Sequence, residues 1–272
     1  MANSVVAAAA ASVLAIDGDD GKKRAMSPPK LQKVDSVMED DDHNNIPAAA
    51  AAVDNGGVRI LKLDEWKEAA LSLSEAFVDD HVSKYFVDAP DRPDWTKQQK
   101  WDLHVKIMEY ITYAHLLRGM VISAGPNYDC VALWMPPGNN MDDMLTILRS
   151  GLWRLKYQLS PEGRARFFNE FFPLLHDTKA EVLGSRDDDS WYLVYIGTRP
   201  SGRGKGYARK VVEYVTAMAD REARACYLES SLDVNQRIYA KMGFELKKEI
   251  ALERAEERVV MDIMVREPRQ AM

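Results

Sequence analysis

The sequence predicts an α/β fold, an α+β arrangement of one sheet with helices around it. Three observations predict it. Short apolar, β-rich runs such as residues 191–197 alternate with longer stretches of helical periodicity. Strand candidates fall in adjacent pairs at 120–135 and 244–265, which is not the regular alternation of a doubly wound sheet. A glycine-rich turn joins the central strand candidate to a helix, at residues 198–208.

The elements follow in order. Residues 58–63 alternate as a strand, and Asp64 caps a helix to about residue 77 with Leu71 and Leu73 among its apolar positions. Asp79, Asp80 and His81 then read as a solvated loop. Pro90 and Pro93 break the chain, and Asp94-Trp95-Thr96 opens a helix to about residue 117, with Trp101, Val105, Met108 and Thr112 at helical spacing. Gly119 ends it. Strands at 120–123 and 130–135 flank the turn Gly125-Pro126-Asn127, and Pro136-Pro137-Gly138 stops the second. Residues 139–185 form a helical insert whose Phe167, Phe168, Phe171 and Phe172 read as core or lid packing. After the strand at 191–197 come a helix to about 221, a strand at 225–230, a short helix at 234–242, and strands at 244–250 and 259–265.

Residues 1–57 differ from this pattern. They hold two alanine runs, Ser27-Pro28-Pro29-Lys30, the acidic run 39–42 and no aromatic residue. Such a segment buries too little apolar area to offset its ordering entropy, so it reads as a disordered tail before a domain at 58–272. The tail has five basic and nine acidic residues, a net of −4, and the domain has 31 and 33, a net of −2. A near-neutral domain argues against nucleic acid as a partner. No run reaches the ~18 apolar residues of a membrane span, and the apolar start lacks the basic residues of a secretory signal. A cytoplasmic protein is expected, with Lys22-Lys23-Arg24 as a fragment of a nuclear signal. Cys130 and Cys226 form no pair motif, so neither a disulfide framework nor a metal site is expected.

The chemistry-bearing stretch is the turn. A strand, a glycine-rich loop and a helix N-terminus present backbone N–H groups and a positive dipole end to a phosphate. A nucleotide P-loop does not fit, because Arg203-Gly204 stands where Lys and Ser/Thr are required. A dinucleotide fingerprint does not fit either, since Gly202, Gly204 and Gly206 are spaced by two and fall late in the chain. Arg203-Gly204-Lys205-Gly206-Tyr207-Ala208 instead resembles the R/Q-x-x-G-x-G/A acyl-CoA pyrophosphate loop of the GCN5-related N-acetyltransferases (GNAT). Downstream, Asn235-Gln236-Arg237-Ile238-Tyr239-Ala240-Lys241-Met242-Gly243-Phe244 resembles the family's N-x-x-x-Y-x-K-x-G-F segment. Asn235 and Tyr239 are four apart and share one helix face, and Gly243 stops that helix. Trp134-Met135-Pro136-Pro137-Gly138 and Leu228-Glu229-Ser230-Ser231 are similar to the puromycin-acetyltransferase-like branch.

The resemblance implies a mostly antiparallel sheet of six or seven strands, splayed at its centre. It implies direct transfer of an acetyl group from acetyl-CoA, as cosubstrate, to an amine of a small molecule or peptide. It places Gly204, Lys205, Gly206, Tyr207 and Ala208 on the pyrophosphate through their N–H groups, with the Arg203 or Lys205 side chain beside it. Ile196, Gly197 and Thr198 take the pantetheine arm, helped by Asn235, and a backbone amide there polarises the thioester. Tyr239 becomes the general acid for the departing thiolate, since a phenol is protonated at neutral pH. Glu229 is the candidate base, and His104 and His115 receive no role. The competing reading is a noncatalytic acyl-CoA-binding module.

Overall fold

The computed structural model describes residues 57–269. The tail assigned to 1–57, apart from Gly57, lies outside them, as does Lys22-Lys23-Arg24. The elements are β1 (Val58–Ile60), α1 (Trp66–Ala76), α2 (His81–Val87), α3 (Lys97–Arg118), β2 (Met120–Ala124), β3 (Cys130–Met135), α4 (Met144–Ser150), α5 (Phe172–Leu183), β4 (Trp191–Thr198), α6 (Tyr207–Arg221), β5 (Cys226–Ser230), α7 (Asp233–Lys241), β6 (Glu245–Leu252) and β7 (Val259–Arg266). They build one seven-stranded sheet in the order β1-β2-β3-β4-β5-β7-β6. Among the described residues only β4 and β5 pair in parallel, and α6 is the crossover that parallel strands require.

Each face of the sheet buries its own core. On one side Leu73, Tyr85, Met108, Leu133, Phe167, Tyr227 and Ile263 pack beneath α1, α3 and the insert. On the other, Ile122, Trp134, Leu193, Leu228 and Met264 pack against α6 and α7. Val211, Val212, Val215 and Ala219 form the buried stripe of α6, at the spacing that puts one helix face on a sheet. Each buried valine contributes about 1.5–3 kcal/mol. The C-terminal end of α6 is tied to β7 by a two-pronged ion pair from Arg266 to Asp220, with both bonds at 2.7 Å.

The start of the domain differs from the sequence reading. The first strand is shorter than 58–63, and a 3₁₀ turn at Leu63–Glu65 precedes α1. Glu65 accepts the Lys62 N–H at 2.8 Å, a capping task assigned above to Asp64. Leu71 is 41% exposed, whereas Leu73 is buried. The polar run at 79–81 starts α2: Asp80 Oδ1 accepts the Ser83 N–H at 2.8 Å.

The insert is helical, as its composition predicts, with one irregular turn. A π-helical turn, Ala165–Phe171, leads into α5. Pro173 has no N–H to continue an α ladder, and Phe172 N–H reaches back five residues to Phe167 O. Tyr85 and Glu170 lock this turn to the β6–β7 hairpin. The Tyr85 hydroxyl donates to Glu170 at 2.5 Å and accepts Arg254 N–H at 2.8 Å, while Glu170 accepts Glu253 N–H at 2.7 Å.

Candidate active site

The site begins where the sheet divides. β4 pairs with β5 only at Trp191↔Cys226, Tyr192↔Tyr227 and Leu193↔Leu228. Beyond Leu193 the strand keeps β3 as its partner, with Ala132↔Ile196, Val131↔Gly197 and Cys130↔Thr198. Its other edge has left the β5 ladder. The β3–β4 register slips between Leu133 and Trp134, which leaves Val194 as an extra residue in β4. A bulge of this kind bends a strand and reverses its side-chain parity. Tyr192 and Tyr195, three apart, therefore both pack with the insert-side core, while Leu193 and Ile196 pack with the opposite one.

Past β4 the chain makes a 3₁₀ turn at Pro200–Gly202, passes Arg203, and starts α6 at Tyr207. Gly204 and Gly206 both have φ of +76°, and a β-carbon at either would meet nothing within 4 Å. Their need for glycine is thus conformational, and the loop faces solvent at the N-terminus of a 15-residue helix. The base of the loop is rigid. Ser201 donates to Asp129 at 3.0 Å, Arg199 N–H donates to Asp129 O at 2.8 Å, and the Arg199 guanidinium grips Glu75 at 2.7 and 2.8 Å. Arg203 is exposed and donates to Thr198 O at 3.3 Å; Lys205 is also exposed. Tyr207 and Ala208 are half-buried against the α6-side core.

A cavity of about 630 Å³ opens at the division. Ile196, Glu229, Asn235 and Tyr239 all line it, so the structure brings together these four residues picked from the sequence. Tyr239 comes from the α7 side and Glu229 from the insert side. Both faces of the sheet reach one chamber because the sheet is open there. The opposite wall is apolar, built largely from Phe167, Phe168, Phe171 and Phe172, which places the predicted aromatic cluster directly on the site.

Glu229 is half-buried, and desolvation pushes its carboxyl up to about 7, against the pull of the Tyr192 and Tyr227 hydroxyls and the Lys179 ammonium. Oε1 of Glu229 and the Tyr227 hydroxyl make no hydrogen bond of ordinary geometry within the chain, although the phenols stand close enough to favour the carboxylate charge. Tyr239 is 8% exposed and meets Phe244 edge to face at 5.8 Å. Burial pushes its phenol well above the usual range, so it holds its proton at neutral pH. Asp80 also lines the cavity, but its second oxygen already accepts Ser231 at 2.6 Å. It is buried, not solvated as its neighbours suggested. His104 and His115 bond the Ser74 and Ile111 carbonyls, at 3.0 and 2.8 Å, inside the core.

Several cavity residues were not singled out in the sequence: Tyr192, Tyr195, Lys179 and Asp142, with Tyr227 buried behind the wall beside Glu229. Strand parity puts Tyr227 and Glu229 on one face. No local signal places Tyr195 beside Tyr192, because the bulge decides that.

Residues 174–246 match the acetyltransferase (GNAT) domain family. An uncharacterized N-acetyltransferase of Schizosaccharomyces pombe is 48% identical over 204 residues, 75% of this chain and 80% of that protein. The chain belongs to the GNAT superfamily. It is an N-acetyltransferase, and the glycine loop and α7 motif are the parts through which that family membership was legible. Arylalkylamine N-acetyltransferase 2 from Aedes aegypti has the same fold, at 18% identity and a TM-score of 0.50, over 78% of this chain and 98% of that one. A mosquito arylalkylamine N-acetyltransferase-like protein, 5b, aligns with a TM-score of 0.50 at 13% identity, over 77% of this chain and 98% of that one. Among the described residues no cluster of three or more His, Cys, Asp or Glu is arranged to hold a metal ion, and no helix is long and apolar enough to cross a membrane.

Proposed function

We propose that the protein transfers the acetyl group of acetyl-CoA to the primary amine of a small molecule with an apolar body. The observation that carries this reading is the chamber at the divided sheet, lined by Glu229 of β5 and Tyr239 of α7, with the glycine loop following the end of β4 that has left β5. Acetyl-CoA suits the loop end. Backbone N–H groups from Gly204 to Ala208 and the α6 dipole would hold the pyrophosphate, with Arg203 and Lys205 supplying exposed positive charge. The released β4 edge at Ile196, Gly197 and Thr198 offers backbone groups to the pantetheine arm, with Asn235 across from it.

The amine suits the other end. Glu229, Asp80 and Asp142 line the chamber, and Asp142 is pushed up to about 6 by burial. Lys179 is matched by Asp187 at 2.5 Å, so the wall favours a cation. Four phenylalanines would pack the rest of the acceptor, which disfavours strongly polar amines such as aminoglycosides. The arylalkylamine acetyltransferases with this fold are in keeping with such an acceptor.

Glu229 accepts a proton from the ammonium, and the free amine attacks the thioester carbonyl carbon. The C–N bond forms, the tetrahedral oxyanion collapses, the C–S bond breaks and the leaving thiolate takes the Tyr239 proton; the nitrogen's remaining extra proton passes to the tyrosinate, directly or through water, which restores Tyr239 and leaves a neutral amide. A noncatalytic CoA sensor would need neither a base poised near neutrality nor a buried acid. The test is thiol release from acetyl-CoA with a panel of arylalkyl, alkyl and polar amines. Turnover confined to amines with apolar bodies is expected. Tight CoA binding with no turnover on any amine would favour the sensor.

A further inference from the structure

Lys179 shares the cavity wall with Glu229 and has no part in the steps above. It projects from α5, the last helix of the insert. Its ammonium is clamped by the Asp187 carbonyl and the Asp187 carboxylate, both at 2.5 Å. Held there, Nζ stands 5.8 Å from the Tyr192 ring centroid and 6.0 Å from that of Tyr227. Those two rings meet edge to face at 5.4 Å, and their hydroxyls lie beside the Glu229 carboxylate. A lysine left to itself extends its charge to water. This one is turned inward and is 17% exposed.

We propose that Lys179 is a positioning residue for the transfer reaction, acting through the Tyr192–Tyr227 pair to keep the Glu229 carboxylate ionised and aimed into the chamber. The proposal rests on the reading of Glu229 as the base. The charged surroundings support it. Asp187 from the loop before β4 and Asp80 from the start of α2 both bring negative charge to this region, as would an ionised Tyr195. Farther along α5, His176 faces Asp142. Lys179 is the cation that acts on Glu229 itself.

The sign of the effect follows. Burial holds the Glu229 carboxyl up at about 7, and the ammonium opposes burial. Without the ammonium the carboxyl keeps its proton to higher pH, and the ionised form is the active one. In the wild type, kcat/KM should fall as pH drops below about 7. In Lys179→Met that acidic limb should move to measurably higher pH. Lys179→Arg should restore its position, which a purely structural role of the side chain would not require.

The experiment measures the pH profile of kcat/KM for acetyl transfer to the best amine of the panel. The full-length enzyme is used as wild type, Lys179→Met, Lys179→Gln, Lys179→Arg and Glu229→Gln, with circular dichroism and CoA titration as controls. Lys179→Gln keeps a polar side chain and replaces Lys179→Met if the latter is misfolded. Loss of the limb in Glu229→Gln and its shift in the Lys179 variants supports the proposal. Loss of the limb in Glu229→Gln with an unmoved limb in both neutral Lys179 variants overturns the role of Lys179 alone. An intact limb in Glu229→Gln overturns Glu229 as the base and this proposal with it.

Discussion

Tyr239 and Glu229 show how far a residue's setting can be read from its type and how far it depends on its surroundings. Tyr239 was legible because Asn235 and Tyr239 sit one helical turn apart and Gly243, at φ +93°, stops the helix behind them. The acidic strength of its phenol was not legible, because it depends on burial among the side chains of β3, α6 and the following strand. Glu229 is the sharper case. Nothing beside it in sequence distinguishes a solvent-facing carboxylate from a partly desolvated one; the insert, which begins some ninety residues earlier, walls the chamber that Glu229 lines. Tyr239→Phe retains the ring, its contact with Phe244 and the packing of α7. We expect CoA affinity within a factor of about two of wild type and transfer slowed on the order of 10²-fold, the usual worth of a positioned acid. Steady-state turnover with CoA titration checks it. Unchanged turnover would assign the thiolate's proton to water or another group, and collapsed CoA binding would make Tyr239 structural.

At the scale of elements, β4 and its loop carry two glycine requirements of different physical origin. Gly206 has open space around it, so its replacement acts through φ +76°, which costs a side-chain-bearing residue about 1–2 kcal/mol, more for a β-branched one, and through a methyl group projecting where a phosphate would lie. Gly206→Val should abolish CoA binding while leaving the circular dichroism spectrum intact; undiminished CoA affinity by calorimetry would remove the pyrophosphate reading of this loop. Gly197, assigned from the resemblance to the cofactor, has a structural duty as well. A β-carbon there would lie 2.7 Å from Ala76 Cβ and 3.1 Å from Leu73, so α1 rests directly on the strand. Gly197→Val should lower stability by about 1–3 kcal/mol, read as a depressed midpoint in urea. An unchanged midpoint would mean that α1 can move away freely. The strands and the long helices were legible from periodicity. The Val194 bulge was not, since it is a mismatch between two strands and belongs to neither sequence alone. Helix α2 was hidden because Asp79, Asp80 and His81 look like solvated loop, whereas Asp80 is spent on capping.

For the whole molecule, the sheet order was only partly readable. Short turns dictate the β2–β3 and β6–β7 neighbours, while the placement of β7 between β5 and β6 depends on long-range packing. The same packing sets the acid response of the fold. His115 is fully buried in the last turn of α3, where the helix dipole favours a cation, yet desolvation overrides it and pushes the imidazole down to about 4. Nδ1–H donates to Ile111 O, so Nε2 is a bare acceptor with no partner, and a proton there would be a buried unpaired donor. The unfolded chain takes up that proton near pH 6.5 and the folded chain only near 4. Stability from His115 is therefore complete above about pH 6.5 and is lost as pH falls towards 4, by about 3 kcal/mol in all. His104, also lowered by burial, acts in the same direction. Glu229 and Asp142 act in the opposite one: their raised values mean that the folded chain binds protons first, so protonation between about pH 7 and 4.5 stabilises it. A wild-type stability curve thus contains opposing slopes, and the contribution of His115 must be read by difference. His115→Leu should be less stable than wild type at pH 7.5, where the Ile111 hydrogen bond is worth about 1 kcal/mol, and should overtake it as pH approaches 5. Urea midpoints measured at half-unit steps from pH 7.5 to 5 test this. A gap between the two proteins that stays constant over that range would mean that His115 is protonated in the folded chain, with water or a shifted backbone receiving the second N–H.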